Sequence, residues 1–289
     1  MKLAFIGLGN IGLPMAKNLL AAGYRVYGRN RSKAPEEAFV KAGGMGGLTL
    51  AELAGKADVI MTCLPLPEDV EEVFLNEGGI VPSGRPGQIL IDFSTVSPDL
   101  NQKISAEAER KGMEFLDAPV SGGNLGAESG TLSIMVGGKK EVFEKALPIF
   151  QVLGENIYHT GDVGSGTAVK LINQYMVSVH TQAVSEALVL ADKMGMDKEA
   201  LFGILNASYA QSRIFARHFE SFIAKNDFAP GFALKLLHKD IALVRKMAAD
   251  REVKMPFGEH VLDLLAEAKT SPHADKDMSA MYLFIKDKN

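Results

Sequence analysis

From the N-terminus to about residue 160, short runs of apolar and β-branched residues alternate with stretches whose apolar positions recur at helical spacing. Runs at 3–6, 24–27, 59–64, 89–93, 114–116, 132–136 and 156–159 read as strands, and 15–22, 68–75, 101–111 and 140–152 as amphipathic helices between them. Strands that alternate with helices pair in parallel, so the pattern predicts an α/β doubly wound sheet. After Gly161 the strand pattern stops. Residues 164–194 carry one helical periodicity ended by Gly195, a rod about 45 Å long at roughly 1.5 Å per residue. Further helices are expected at 198–206 behind Asp197, at 213–225 behind Ser212, at 233–250, at 257–269 after Pro256, and from about 275. We therefore expect a sheet domain over 1–161 and an all-α domain over 162–289, joined by the long helix. The glycine-dense stretch 43–47 sits between a helix and a strand and reads as a loop.

With 289 residues, 47% of them hydrophobic and 23% charged, the chain can build two packed cores, which excludes a disordered protein. A formal charge of −4 gives no overall positive field, so no nucleic-acid partner is expected. The sole cysteine, Cys63, lies in the apolar run 58–64 and suits a reducing, cytoplasmic setting. The glycines at 7, 9 and 12 interrupt the first apolar stretch too early for a secretion signal, and no run of about 18 uncharged apolar residues offers a membrane span. The six histidines are scattered without a one-turn pair or a cysteine partner, so no metal site is expected.

Gly7-Leu8-Gly9-Asn10-Ile11-Gly12 follows the first strand and opens the first helix. In that context the first glycine permits a tight turn, the second lets backbone approach a pyrophosphate, and the third lets helix and strand pack closely, with the helix N-terminus facing the anion. Pro14 suits the first helical turn, where an N–H has no partner. The second strand ends in Asn30-Arg31-Ser32, with no acidic residue to bind a ribose 2′-hydroxyl. Arg31 offers a planar fork to a 2′-phosphate, and Asn30 and Ser32 are neutral donors beside it, so NADP is expected over NAD.

Four spaced segments carry a resemblance. They are the glycine stretch from Phe5 to Ala16, Asp117-Ala118-Pro119-Val120-Ser121-Gly122-Gly123, Gly164-Ser165-Gly166-Thr167-Ala168-Val169-Lys170-Leu171-Ile172-Asn173-Gln174, and Lys239-Asp240. In this order they resemble the motifs of the β-hydroxyacid dehydrogenase family, whose members include 3-hydroxyisobutyrate dehydrogenases and tartronate semialdehyde, succinic semialdehyde and glyoxylate reductases. The resemblance implies a Rossmann domain followed by an all-α domain, an active site in the cleft between them, a small carboxylic-acid substrate, and homodimers or homotetramers that share the helical part. Asp69 departs from the pattern, standing where relatives commonly have a neutral residue near the cofactor. Gln174 departs from the second Asn of 3-hydroxyisobutyrate dehydrogenases.

Lys170 and Asn173 lie three apart on the long helix and share a face. Hydride transfer to a carbonyl makes an alkoxide, and a lysine at that oxygen can protonate it and stabilise its charge, with Asn173 orienting the substrate. A free lysine titrates near ~10.4, so a base role in the oxidative direction requires burial or a neighbouring cation. Ser121, Gly122 and Gly123 offer a hydroxyl and uncovered N–H groups that can hold a carboxylate, although the same residues suit an ordinary turn. The resemblance places the substrate carboxylate there, Thr95 against the nicotinamide, and Leu64-Pro65 along the same crevice. It also turns Lys239 toward nicotinamide and substrate, with Asp240 orienting a lysine; by helical pattern alone, residues 239 and 240 can equally face water. An imine reductase shares this architecture but usually carries another residue at the position of Lys170, and a non-catalytic nucleotide-sensing domain would lack that lysine. The roughly 125 residues of the helical part are too few for a decarboxylating 6-phosphogluconate dehydrogenase.

Overall fold

In a computed structural model that describes residues 1–289, Lys2–Ile6 forms β1, with side chains that alternate between two buried faces. Leu3 and Phe5 enter one core with Met15, Leu19 and Phe150, while Ala4 and Ile6 enter another with Leu53, Phe74 and Phe115. A strand that is apolar on both faces belongs inside a sheet covered by helices on each side. The chain divides into two compact units, Met1–Lys170 and Leu171–Asn289.

In the first unit, β1 is followed by α1 (Gly12–Ala21), β2 (Arg25–Arg29), α2 (Lys33–Lys41), α3 (Leu50–Lys56), β3 (Val59–Thr62), α4 (Pro67–Leu75), α5 (Ile80–Ser83), β4 (Ile89–Asp92) and α6 (Pro98–Arg110). The chain continues through β5 (Glu114–Asp117), β6 (Val120–Ser121), α7 (Gly123–Ser129), β7 (Leu132–Gly137), α8 (Lys140–Leu153) and β8 (Gly154–Gly161). The strand order is β2-β1-β3-β4-β5-β7-β6, with β8 on β7. Strands β1 to β5 are parallel, and the order reverses at β1, which opens a crevice at the carboxyl ends of β1 and β3.

The doubly wound sheet matches the sequence pattern, with two differences. β7 runs antiparallel to β5 and β6, and β6 was not expected. The β5 direction resumes after Ala118-Pro119 as β6, so Ser121 extends about 13 Å past Asp117, four residues at roughly 3.3 Å each. The glycines of 43–47 do form a loop, which holds a single parallel bridge from Met45 to Tyr27. The expected strands and helices of this unit are all present with bounds shifted by a few residues, and α2 is the helix before the 43–47 loop, whereas α3, α5 and α7 have no counterpart in the sequence pattern.

The helical unit takes in most of α9 (Ser165–Lys193), then α10 (Lys198–Asn206), α11 (Arg213–His218), α12 (Leu234–Ala249), α13 (Pro256–Ala268) and α14 (Met281–Asp287). Its core gathers Leu188, Phe215, Phe219, Leu237, Leu262 and Phe284. The helix expected at 213–225 changes at Phe219 into a π turn over Phe219–Ile223, where the Phe219 ring stacks 4.5 Å from Phe202. The last helix, expected from about 275, begins at Met281 behind a 3-10 turn over Met278–Ala280, which Asp277 caps by accepting the Ser279 N–H at 3.0 Å. The Asp277 carboxylate also forms a bidentate pair with Arg217 and accepts the N–H groups of Gly231 and Phe232. No helix is long and apolar enough to cross a membrane.

Candidate active site

The glycine loop shows three separate requirements. Gly7 turns with φ +93°, and a Cβ on it would lie 2.2 Å from the Cys63 carbonyl oxygen; one on Gly12 would lie 1.9 Å from the Gly7 carbonyl oxygen. A Cβ on Gly9 would meet nothing within 4 Å. The first and third glycines are therefore demanded by the protein's own packing, and the second leaves open space beside the N-terminus of α1. That helix has no side-chain cap and no acid in its first turn, so its N–H groups suit an anion. An open backbone beside a bare helix start fits the pyrophosphate of a dinucleotide.

The loop after β2 is tied into this cradle. The Leu8 N–H donates to Asn30 Oδ1 at 2.9 Å, the Asn30 N–H donates to Glu36 Oε2 at 2.9 Å, and Asn30 Nδ2 donates to the Ser32 carbonyl at 3.1 Å. Asn30 thus braces the glycine loop. Ser32 stands at the N-cap of α2 without a capping bond from its hydroxyl. Arg31 has a side chain that is 85% exposed and lies 3.2 Å from Asp69 Oδ1, while the second Asp69 oxygen is buried without a hydrogen-bond partner. The one carboxylate that departs from the family pattern faces the proposed phosphate-binding arginine.

Because β1 to β4 are parallel neighbours, the loops holding Gly7 to Gly12, Asn30 to Ser32, Leu64-Pro65 and Thr95 share one sheet edge. Two buried acids organise that edge. Asp92 Oδ1 accepts from the Thr62 hydroxyl at 2.7 Å and from the Ser94 N–H at 3.0 Å, and the Ser94 hydroxyl accepts the Leu64 N–H at 2.8 Å. Asp117, opposite Asp92 in register, accepts the Gly164 N–H on Oδ1 and the Thr167 N–H on Oδ2, both at 2.7 Å. Asp117 therefore caps the start of α9. Asn101 Nδ2 adds a bond to the Thr167 hydroxyl at 2.6 Å, and a Cβ on Gly166 would lie 2.1 Å from the Met135 carbonyl oxygen, so this helix start is pressed against β7. Burial pushes both carboxyls up from the ordinary range, opposed by the hydrogen bonds they accept.

The two groups proposed for the chemistry both lie downstream of Asp117 in sequence, Ser121 four residues after it and Lys170 on the helix it caps. Ser121 closes β6 opposite Ser133, and Gly122 and Gly123 follow with φ of +133° and +64°, conformations that favour glycine. Lys170 lies one helical turn after Thr167 and is only 8% exposed. A lysine this buried is uncommon on a helix and points to a specific environment.

In the helical unit a polar chain links three more of the predicted residues. Asn173 Nδ2 donates to Gln174 Oε1 at 3.1 Å, Gln174 Nε2 donates to Asp240 Oδ2 at 2.7 Å, and Lys239 Nζ lies 3.0 Å from Asp240 Oδ1. Asp240 is 1% exposed, which removes the alternative that residue 240 faces water.

A sequence-family model described as the NAD binding domain of 6-phosphogluconate dehydrogenase matches residues 2–161, and one described as NAD-binding of NADP-dependent 3-hydroxyisobutyrate dehydrogenase matches residues 164–285. The chain is 38% identical over 281 residues to 2-(hydroxymethyl)glutarate dehydrogenase of Eubacterium barkeri, covering 97% of this chain and 93% of the relative. It is 36% identical over 281 residues to 2-hydroxy-3-oxopropionate reductase of Escherichia coli K12, covering 97% and 96%. The chain belongs to the β-hydroxyacid dehydrogenase family. The 3-hydroxyisobutyrate dehydrogenase of Mycobacterium tuberculosis, solved with L-serine, superposes with a TM-score of 0.89 at 33% identity over 99% of both chains. As a β-hydroxyacid dehydrogenase the protein is an oxidoreductase that uses a nicotinamide cofactor.

Sequence reasoning missed several residues that organise this β-hydroxyacid dehydrogenase. Asp117 lies in one of the family motifs with no role evident from the sequence, although an acid ending an apolar strand is itself a signal that something caps on it. Asp92 ends the neighbouring strand in the same way. The Asn173-Gln174 pair is visible in the sequence as a departure from 3-hydroxyisobutyrate dehydrogenases toward tartronate semialdehyde reductases, but the bond from Gln174 to Asp240 joins positions 66 apart in sequence, which no local pattern reveals.

Proposed function

We propose that this β-hydroxyacid dehydrogenase interconverts a short semialdehyde or keto carboxylic acid with its hydroxy acid, prefers NADP(H), and uses Lys170 as general acid and base. The observation that carries the reading is the Asp117 cap. One buried carboxylate fixes the start of the helix that bears Lys170, four residues before the Ser121-Gly122-Gly123 turn in the same unit.

In this scheme the Ser121 hydroxyl and the N–H groups of Gly122 and Gly123 hold the substrate carboxylate without a formal charge. A nicotinamide cofactor held at the glycine loop Gly7 to Gly12 would supply the hydride in reduction and accept it in oxidation. Lys170 Nζ gives its proton to the carbonyl oxygen as that oxygen gains negative charge, and takes the hydroxyl proton in the reverse direction. Asn173 orients the reacting oxygen, and Lys239 contributes a second positive charge. Thr95, Leu64 and Pro65 border the cofactor along the edge that the glycine loop begins.

Preference for NADP(H) rests on the exposed Arg31 fork at the end of β2, which Asp69 partly occupies, and on a strand end, Arg29-Asn30-Arg31-Ser32, that carries no acid of its own. Residues 1–161 would bind the cofactor and 162–289 would serve substrate binding and oligomerisation. Val169, Ile172, Met176 and Leu190 are exposed apolar side chains at helical spacing along α9, with Met194 just past its end, a stripe suited to a second copy of this chain. A homodimer or homotetramer by light scattering is the expected state, and a monomer at micromolar concentration would contradict it. The single cysteine agrees with a cytoplasmic setting.

The test is turnover of succinic semialdehyde, tartronate semialdehyde, glyoxylate and methylmalonate semialdehyde with NADPH and with NADH. At least one should be reduced, with the higher kcat/KM for NADPH. A protein that binds NADPH yet turns over none of them would contradict the proposal.

A further inference from the structure

In the polar chain Asn173–Gln174–Asp240–Lys239, Gln174 touches none of the proposed reacting groups and is buried at 4% exposure. A primary amide has a donor end and an acceptor end, and which end faces which neighbour is decided by the partners. Asp240 sits against the Lys239 ammonium at 3.0 Å, and a carboxylate in such a pair accepts hydrogen bonds and donates none. Gln174 must therefore present Nε2 to Asp240 Oδ2, as it does at 2.7 Å. That leaves Oε1 as the end facing Asn173. Asn173 must in turn present Nδ2, as it does at 3.1 Å, which leaves its Oδ1 as the acceptor directed elsewhere.

We infer that Gln174 is a positioning residue that fixes the amide of Asn173, so that the acceptor Oδ1 and the remaining Nδ2–H of Asn173 hold one orientation toward the reacting hydroxyl or carbonyl. The polarity originates in the Lys239–Asp240 pair, passes from α12 to α9 through Gln174, and ends at Asn173. A solvated asparagine would sample both amide orientations, each offering the substrate a different pattern of donor and acceptor. Burial of Gln174 and Asp240 makes the wrong orientation expensive, because a flipped Gln174 would set its carbonyl oxygen against a carboxylate.

This inference rests on the proposed role of Asn173, and a double-mutant cycle separates the two. In the full-length enzyme, Gln174→Met keeps the length of the side chain and removes both bonds. It should lower kcat about tenfold, the loss of one oriented hydrogen bond, with the dissociation constant for NADPH unchanged. If Gln174 acts through Asn173, then in the Asn173→Ala background Gln174→Met should lower kcat no further. A slow Asn173→Ala enzyme in which Gln174→Met still takes its full tenfold loss would overturn the inference and leave the role of Asn173 standing. An Asn173→Ala enzyme at the parental rate would overturn that role and the inference with it.

Gln174→Glu gives an isosteric second variant with its own signature. Its side chain can donate to Asp240 only when protonated, and the adjoining carboxylate favours that protonation. The ratio of its kcat to the parental kcat should therefore rise as pH is lowered. A ratio independent of pH would overturn the inference.

Discussion

In the unit of residues 1–170, the groups of the site are fixed by backbone. Gly7 and Gly12 have no room for a Cβ, Asp117 accepts two main-chain N–H groups, and Asn30 braces the main chain at Leu8. In the unit of residues 171–289, Asn173, Gln174, Asp240 and Lys239 hold one another side chain to side chain. Groups held by the backbone occupy fixed positions along the sequence and tolerate few residue types. Groups held by side chains depend on pairs far apart in sequence, and each member can be replaced only when its partner allows it.

The contrast can be tested first at two glycines of one loop. Gly12→Ala should destabilise the fold by about 3 kcal/mol or more, because its methyl group meets backbone rather than a movable side chain. Gly9→Ala should leave Tm unchanged and weaken NADPH binding about tenfold, since a Cβ there meets nothing in the protein and would stand where the proposed pyrophosphate lies. Equal loss of thermal stability in both variants would erase the distinction between packing glycine and cofactor glycine.

A smaller effect is expected at the cap of α9. Asp117→Asn sets an amide N–H against one of two backbone donors, a loss of about 2 kcal/mol, and it should also lower kcat because the helix bearing Lys170 loses its anchor. Unfolding and steady-state measurements on the same preparation would show both effects, and a loss of stability with unaltered kcat would disconnect the cap from the chemistry. At the opposite corner of the edge, Arg31→Ala should raise KM for NADPH about tenfold and leave KM for NADH nearly unchanged, the share expected of one charge-assisted hydrogen bond partly occupied by Asp69. Parallel increases for both cofactors would assign Arg31 to loop structure.

The subtlest expectation is a pH dependence at Asp92. Burial raises its carboxyl above the ordinary value, so the protonated form is the better fit in the folded state. Its stabilising contribution is full below the unfolded value of about 3.9 and is lost as pH rises through the raised folded value. Asp92→Asn removes that loss, so its Tm relative to the parent should be higher near about pH 8 than near about pH 4. A difference that is constant across this range would show that Asp92 ionises as readily in the folded protein as in the unfolded chain.

Much of the first unit was legible because its signals are local. The strands alternate apolar residues in single runs, and the glycine loop stands between a strand and a helix. The elements that escaped were those with little apolar periodicity. Of these, α5 spans four residues and α7 opens on glycine. By contrast, α3 carries a capping box at Thr49 and Glu52 whose signature is present in the sequence. In the helical unit the helices were legible but their interruptions were not. The π turn at Phe219 coincides with ring stacking on Phe202, and the residue that caps the turn before α14, Asp277, is held by Arg217 60 positions away. The same holds for the site. Lys170 and Ser121 lie in contiguous motifs, whereas the partnership of Gln174 with Asp240 exists only in three dimensions.

The central claim is that Lys170 moves the proton in a hydroxy acid oxidoreduction. It is tested most directly by Lys170→Ala, assayed for NADPH-dependent reduction of the best substrate beside a separate measurement of NADPH affinity. The account predicts a fall in kcat of at least about a hundredfold, the usual range for a lost general acid, with cofactor affinity retained. A variant that turns over substrate at the parental rate would contradict it.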